Sequence, residues 1–314
     1  MNKLYAGICA LLLILLFISP ARITAVEPTG FHFLQTNVGA RQSALAGAAV
    51  AHTGDLHALY YNPAGLATIE GRVGSVTYLK HLIDFQSGFV GYAQSLKQNS
   101  VFALGINYID YGEFDETDSQ GEKLGTTFNA NTMVLTASYA RQAVIENMFV
   151  GVSAKYIRSV IQSFSSTAAA VDVGVIYRVP FTEDLDIGLS VLNIGNTMSA
   201  FIEEKSKLPQ KIVAGFSKQL AHLPLLFNLN GYKVSNDEDF QFVVGGELNV
   251  ATGVFLRFGF DSIGRDAHVN SDLDKLAGVS AGFGFNRNEY HLDYAISSLG
   301  EVGSLNRVSF TYIF

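Results

Sequence analysis

"RVSFTYIF", Arg307–Phe314, closes the sequence. Val308, Phe310, Tyr312 and Phe314 fall on one face, and Arg307, Ser309 and Thr311 on the other. Alternation with period two is the mark of a strand with one apolar and one polar face. The same reading holds upstream. In "YHLDYAIS", Tyr290, Leu292, Tyr294 and Ile296 oppose His291, Asp293 and Ala295. In "VDVGVIYR", Val171, Val173, Val175 and Tyr177 alternate with Asp172, Gly174 and Arg178.

Worked back to Arg72, the pattern yields fourteen segments: 72–80, 84–96, 99–111, 129–141, 146–159, 166–178, 184–193, 208–219, 223–234, 239–250, 252–262, 276–287, 289–297 and 305–314. Most exceed the roughly 5–6 residues usual for strands in water-soluble domains. They match the roughly 9–11 residues a tilted strand needs to cross a bilayer. Connections after even-numbered segments are short (97–98, 142–145, 179–183, 220–222, 251, 288). Those after odd-numbered ones are mostly long (112–128, 160–165, 194–207, 263–275, 298–304), with 81–83 and 235–238 as exceptions. Short turns on one side and long loops on the other characterise outer-membrane barrels. Backbone groups find no water in a bilayer, so a spanning sheet must close on itself. The expected fold is therefore all-β: a closed transmembrane antiparallel β-barrel of about fourteen strands. Lys155, Asp172, Arg178, Glu247, Arg257 and Asp293 would point into its lumen, and aromatic residues near the strand ends would form girdles.

The N-terminus reads differently. Lys3 precedes the apolar run "ICALLLILLFI" (Ile8–Ile18), which is too short to span a membrane as a helix. Small residues at Ala21 and Ala25 follow, as in a secretory signal peptide. The single cysteine, Cys9, lies inside it, so the exported chain would hold together without disulfides. A net charge of −7 with 16% charged residues offers no basic stripe for nucleic acid. Domains are expected at 1–25 (signal peptide), 26–71 and 72–314 (barrel), with residence in the outer membrane of a Gram-negative cell and outer-membrane lipid as the surroundings.

Residues Phe31–Gly71 depart from period two. "GARQSALAGAAVA" (Gly39–Ala51) is rich in small residues, as close packing in a confined space requires. In "YYNPAGLA" (Tyr60–Ala67), Asn62-Pro63 initiates a turn, and Gly65 is expected to supply a positive φ. The segment reads as a hatch that plugs the barrel. His52, Asp55 and His57 match no zinc spacing and read as the polar surface of a turn. The acidic stretch Asp110–Phe128, with Asp115, Glu116, Asp118 and Glu122, lacks the spacing of a calcium loop and reads as an extracellular extension, a candidate partner-docking loop alongside Ile194–Lys207 and Ile263–Lys275. No nucleophile–base motif or phosphate-cradling loop occurs, so neither an enzyme nor a cofactor is expected.

These stretches carry a resemblance. "FLQTNVGARQSALAGAAVA" followed by "ALYYNPAGLA" resembles the N-terminal signature of the PorV/PorQ family, within the wider FadL-type group of outer-membrane barrels. "INYIDYGEFDETDSQGEKLGTTFNA", "LSVLNIGNTM" and "LDYAISSLGEVGSLNRVSFTYIF" are similar to PorQ-like members. The resemblance implies a fourteen-stranded barrel with an N-terminal hatch, whose motif here is Gly39, Ala40, Arg41, Asn62, Pro63, Ala64 and Gly65. It implies a C-terminal barrel-assembly signal at Phe310, Tyr312 and Phe314. It also implies a non-enzymatic part in type IX protein secretion or surface attachment, with proteins of that system as partners. The alternative is a FadL-like channel for hydrophobic small molecules, in which inward Gly174, Gly188 and Gly245 would leave room for a ligand in the lumen.

Overall fold

A computed structural model describes residues 31–314, apart from 82–84, 98, 183, 202–204, 236, 238 and 268–275. The expected signal peptide lies outside the described residues, as do parts of the loops at 194–207 and 263–275. Fourteen strands run β1 Arg72–Lys80, β2 Gln86–Leu96, β3 Ser100–Thr117, β4 Lys123–Gln142, β5 Met148–Ile161, β6 Phe164–Arg178, β7 Leu185–Ser199, β8 Lys211–Gln219, β9 Leu225–Val234, β10 Gln241–Ala251, β11 Val254–Asp261, β12 Val279–Arg287, β13 Tyr290–Ser298 and β14 Ser304–Ile313. Each pairs with its sequence neighbours, and β1 closes on β14 antiparallel with Val76 opposite Phe310. Each expected segment overlaps one strand.

The two faces separate as the alternation requires. On β3, Val101, Ala103 and Ile109 are buried inside, while Phe102, Leu104, Ile106 and Tyr108 are exposed outside. The outward face continues as Val76, Val90, Val173, Phe258, Phe283 and Phe310, all exposed. So broad an apolar belt is a liability in water and an asset in lipid. Among the described residues no helix is long and apolar enough to cross a membrane; the strands do the crossing.

One expectation is corrected. The loop placed at 112–128 is largely ladder: Phe114 faces Phe128 and Asp115 faces Thr127, past a bulge between Asp110 and Glu113. β3 and β4 thus form a hairpin projecting beyond their neighbours, since β2 starts only at Gln86, opposite Asp110. Stacking of Phe114 on Phe128 (5.5 Å between centroids) and edge contact of Phe85 with Tyr111 (5.4 Å) brace its base. Beyond the membrane both faces of a hairpin meet water, so the alternation that marks strands elsewhere is absent there.

Inside the barrel lie residues 31–71, without a strand. They comprise 3-10 turns at His32–Gln35 and Pro63–Thr68 and short helices at Ala40–Ala44 and Ala58–Tyr61. Helices this short are not stable alone and depend on tertiary packing. Leu56, Leu59 and Leu66 pack on Phe89, Val101 and Ala103 of β2 and β3. Leu45 and Val50 pack on Val213 and Val243 across the lumen. Phe31 packs on Val134, Ile157 and Ala168.

Candidate functional site

The seat of this internal segment is the most specific construction in the molecule. Its first component is glycine in the wall. A Cβ on Gly174 would overlap Asn62 and stand 3.1 Å from Pro63 Cδ. One on Gly151 would overlap the Pro63–Ala64 peptide, one on Gly188 the backbone of Val50, and one on Gly259 the backbone at Leu45–Ala46. A Cβ on Gly245 would press on Leu45 and Ala48 at 3.0–3.1 Å. The inward glycines therefore do not leave space for a solute. Hatch atoms, backbone at Gly151, Gly188 and Gly259, occupy the volume their missing side chains release.

The second component is Asn62, fully buried. Its Oδ1 accepts the Ala64 N–H (3.1 Å), which caps the Pro63–Thr68 turn. Its Nδ2 donates to Val50 O (2.7 Å) within the hatch and to Val175 O (3.1 Å) on β6. One side chain thus ties two hatch segments to the wall. Pro63 opens the turn, where a missing N–H costs nothing. Gly65 departs from expectation, since it is not among the positive-φ residues. It is glycine because a Cβ would collide with His52 O.

The third component is a chain of charges joining hatch to wall. Arg41, on the Ala40–Ala44 helix, grips Glu247 of β10 with two bonds of 2.8 Å and reaches Asp55 at 3.3 Å. Glu247 also accepts from Arg257 of β11 (2.6 Å), which donates on to Asp293 of β13 (2.6 Å). Asp55 accepts from Gln42 (2.7 Å) and from His57 N–H (2.9 Å), and its Oδ1 lies 3.0 Å from His57 Nδ1. His57 Nε2 meets Thr77 of β1 (3.2 Å), whose hydroxyl bonds Ser309 of β14 (2.7 Å). Ser309 in turn accepts the Ala40 N–H (2.8 Å). Burial alone would raise the Asp55 carboxyl. The bond and charge of His57, with the charge of Arg41, outweigh it and hold Asp55 well below the usual carboxylate range.

His52 and His57 are buried parts of this seat, not the polar turn surface expected of them. His52 Nε2 donates to Asn228 Oδ1 on β9 (2.8 Å). Burial, and then the nearby Arg41 charge, depress its imidazole to about 4. Sequence reasoning named Glu247, Arg257, Asp293 and Arg41 separately but not their union. The available signal was a lone arginine in the Gly/Ala-rich stretch facing an acid–base pair on adjacent strands.

A second buried pair, Lys155 on β5 and Asp172 on β6, lies at 2.7 Å. It holds Asn193, at the bulge of β7, through Lys155 Nζ (2.9 Å) and the Asn193 N–H to Asp172 (2.7 Å). Beside it, a lumen cavity of about 110 Å³ is lined by Asn37, Tyr61, Lys211, Tyr232 and Asp261 as well as by Val50 and Val243. Lys211 Nζ sits 3.7 Å from the Tyr232 ring centroid, and Tyr232 donates to Asp261 (3.0 Å). The space is mixed in polarity rather than an apolar channel.

The remaining expected residues sit elsewhere. Asp115, Glu116, Asp118 and Glu122 lie on the projecting hairpin. Asp115 pairs with Lys123 (2.5 Å), Glu116 bonds Thr126 and Gln162, and Asp118 accepts from the backbone of Gln120 (2.8 Å) and Glu122 (3.0 Å). Among the described residues no acid or histidine cluster could hold a metal ion. Phe310, Tyr312 and Phe314 gather with Tyr290 at the opposite rim, with Tyr312 4.6 Å from Phe314 and 5.0 Å from Tyr290.

A closed fourteen-stranded barrel, apolar outside and filled inside by its own N-terminal segment, is an outer-membrane protein of the FadL-like architecture. Solved structures similar to it include the toluene transporter TbuX of Ralstonia pickettii, at 15% identity and TM-score 0.62 over 88% of this chain and 98% of that one. A FadL homologue of Pseudomonas aeruginosa matches at 12% identity and TM-score 0.57, over 88% and 98%. The CymD monoaromatic hydrocarbon channel matches at 13% and 0.59, over 91% and 99%. At such identity the likeness is one of fold. No curated protein matches the chain in sequence. The family model for the type IX secretion system protein PorV matches residues 21–182, and the chain belongs to the PorV family.

Proposed function

We propose that this barrel is a non-enzymatic outer-membrane component of type IX protein secretion or surface attachment. In this reading it acts through its extracellular face while residues 31–71 keep its lumen shut. The observation that carries the proposal is the family match, which spans the hatch and the first strands through β6. Two features of the molecule support it. The wall glycines are filled by hatch atoms, and the β3–β4 hairpin lifts Asp115, Glu116, Asp118 and Glu122 clear of the barrel on a braced base, the geometry a docking element needs. Phe310, Tyr312 and Phe314 then serve as the assembly signal, displayed as an aromatic cluster at the rim where the chain ends. The hydrocarbon-channel reading needs a continuous apolar path, and the mixed cavity beside Lys211 favours the docking role. Co-purification of the tagged protein from outer membranes tests the proposal. Recovery of secretion or attachment proteins is expected. Their absence, with a hydrocarbon or lipid extracted from the lumen, would overturn it.

A further inference from the structure

Among the described residues the cations facing the lumen are compensated, with one exception. Lys155 pairs with Asp172, Arg257 with Glu247 and Asp293, and Arg41 with Glu247 and Asp55. Lys211 lies over the Tyr232 ring. Arg307 of β14 is 2% exposed and has no such partner. Among the described residues its one hydrogen bond is a long one from Nη1 to Ser297 Oγ (3.3 Å), and its Nε is buried with none. Among the described residues no carboxylate comes within ion-pair distance. A guanidinium removed from water without a counter-charge carries a penalty of several kcal/mol. A fold that ties up its other lumen cations so thoroughly leaves this one facing something else.

What it faces is a small cavity between hatch and wall. Thr36, Asn37 and Gly39 form the hatch side; Ser87, Asn107 and Arg307 are on the wall. The cavity measures about 20 Å³. One water needs roughly 10–15 Å³ of cavity, so the space holds one compact guest. Its polar lining consists of a guanidinium, two amides and three hydroxyls (Thr36, Thr77 and Ser87), all able to donate, and contains no acid. A shell rich in donors and free of acids around an unpaired buried cation suits an anion, and the volume restricts it to a small one.

We propose that this cavity is a binding site for a monovalent anion of halide size, with chloride as the natural occupant. The anion supplies Arg307's missing counter-charge. Because its shell draws on Thr36 and Asn37 as well as on β2, β3 and β14, it also braces the hatch against the wall on the side away from Asn62.

Bromide is the probe. Crystals of the full chain grown in sodium bromide, with data collected at the bromine edge, should show an anomalous peak against the Arg307 guanidinium. In parallel, exchanging gluconate for chloride at constant ionic strength should raise the melting midpoint of the micelle-embedded protein by roughly 2–4 °C. Arg307→Gln should abolish that response. An empty or water-filled cavity at saturating bromide would overturn the proposal. So would a chloride response of equal size in the parent and in Arg307→Gln. The anomalous measurement uses the parent chain, so it decides the matter even where the variant fails to assemble.

Discussion

Replacing Gly174 by alanine tests the hatch seat with a single methyl group. The added Cβ overlaps Asn62 Oδ1 and meets Pro63 Cδ at 3.1 Å. The wall has little freedom to give way. Gly174 is laddered to Gly151 on β5 and to Ser190 on β7, and each of those strands is held in turn by the next. Asn62 must therefore move. Its displacement forfeits the bonds to Ala64 N, Val50 O and Val175 O, at about 1 kcal/mol each. If it does not move, the overpacking itself costs about 1–3 kcal/mol. A loss of roughly 1–3 kcal/mol for the seated hatch follows on either course, while alanine suits the strand at least as well as glycine. The assay is conductance in planar bilayers, with heat-modifiable migration on gels as the check that the barrel has formed. G174A should fold and conduct more than the parent, approaching the level of a variant lacking residues 31–71. G88A is the control, since the nearest atom to its new Cβ is Thr77 O at an ordinary 3.7 Å. Parent-like conductance in G174A would refute the argument that glycine is required there by the hatch.

Acid should loosen the same seat. The seated His52 titrates near 4 and a released one near 6.5, so between those values the released hatch binds the extra proton. The seat's stability is thus full above pH 6.5 and falls by about 3 kcal/mol as pH drops to 4, with Asp55 protonation removing more below that; protease sensitivity of residues 31–71 should rise over that window and stay flat in His52→Gln. In the second pair, Lys155→Met strands a buried Asp172 and should lower barrel stability by roughly 3–5 kcal/mol in urea titrations, whereas adding Asp172→Leu should restore most of it. Replacing Thr117–Lys123 by a tight turn should leave folding unchanged and reduce recovery of partner proteins from outer membranes; undiminished recovery would remove the hairpin from the docking surface.

How much of this was legible depended on which solvent each residue meets. Where lipid bathes one face and the lumen the other, period two is enforced, and β1 through β14 could be read directly, down to the limits of β1. Beyond Asp110 both faces of the hairpin meet water, so β3 and β4 read as loop. The confined location of residues 31–71 was legible from their small side chains, but their contacts were not. Asn62 and Gly65 read as turn chemistry, and only spatial neighbours reveal that the first is a clamp and the second a clearance for His52. The same holds for Arg41 and Glu247, which lie 206 residues apart in sequence and share two hydrogen bonds.

The cost of the seat argues for what it does. Each interior strand glycine forgoes roughly 0.5–1 kcal/mol relative to alanine, and five are placed where hatch atoms need the room. A wall shaped for an open path would fill those positions with side chains facing water. The two strongest anchors also lie on different parts of the wall: Asn62 on β6, and Arg41 on Glu247 of β10. Breaking one leaves the segment pinned by the other, and partial withdrawal would leave Glu247 with Arg257 alone and Asp55 without its Arg41 contact. Intermediate positions are therefore less stable than either end, and release should be all-or-none. Single-channel records of Arg41→Gln, which lacks one anchor, should step between two discrete current levels. A continuous spread of currents would mean that the anchors yield independently and that the hatch deforms in place.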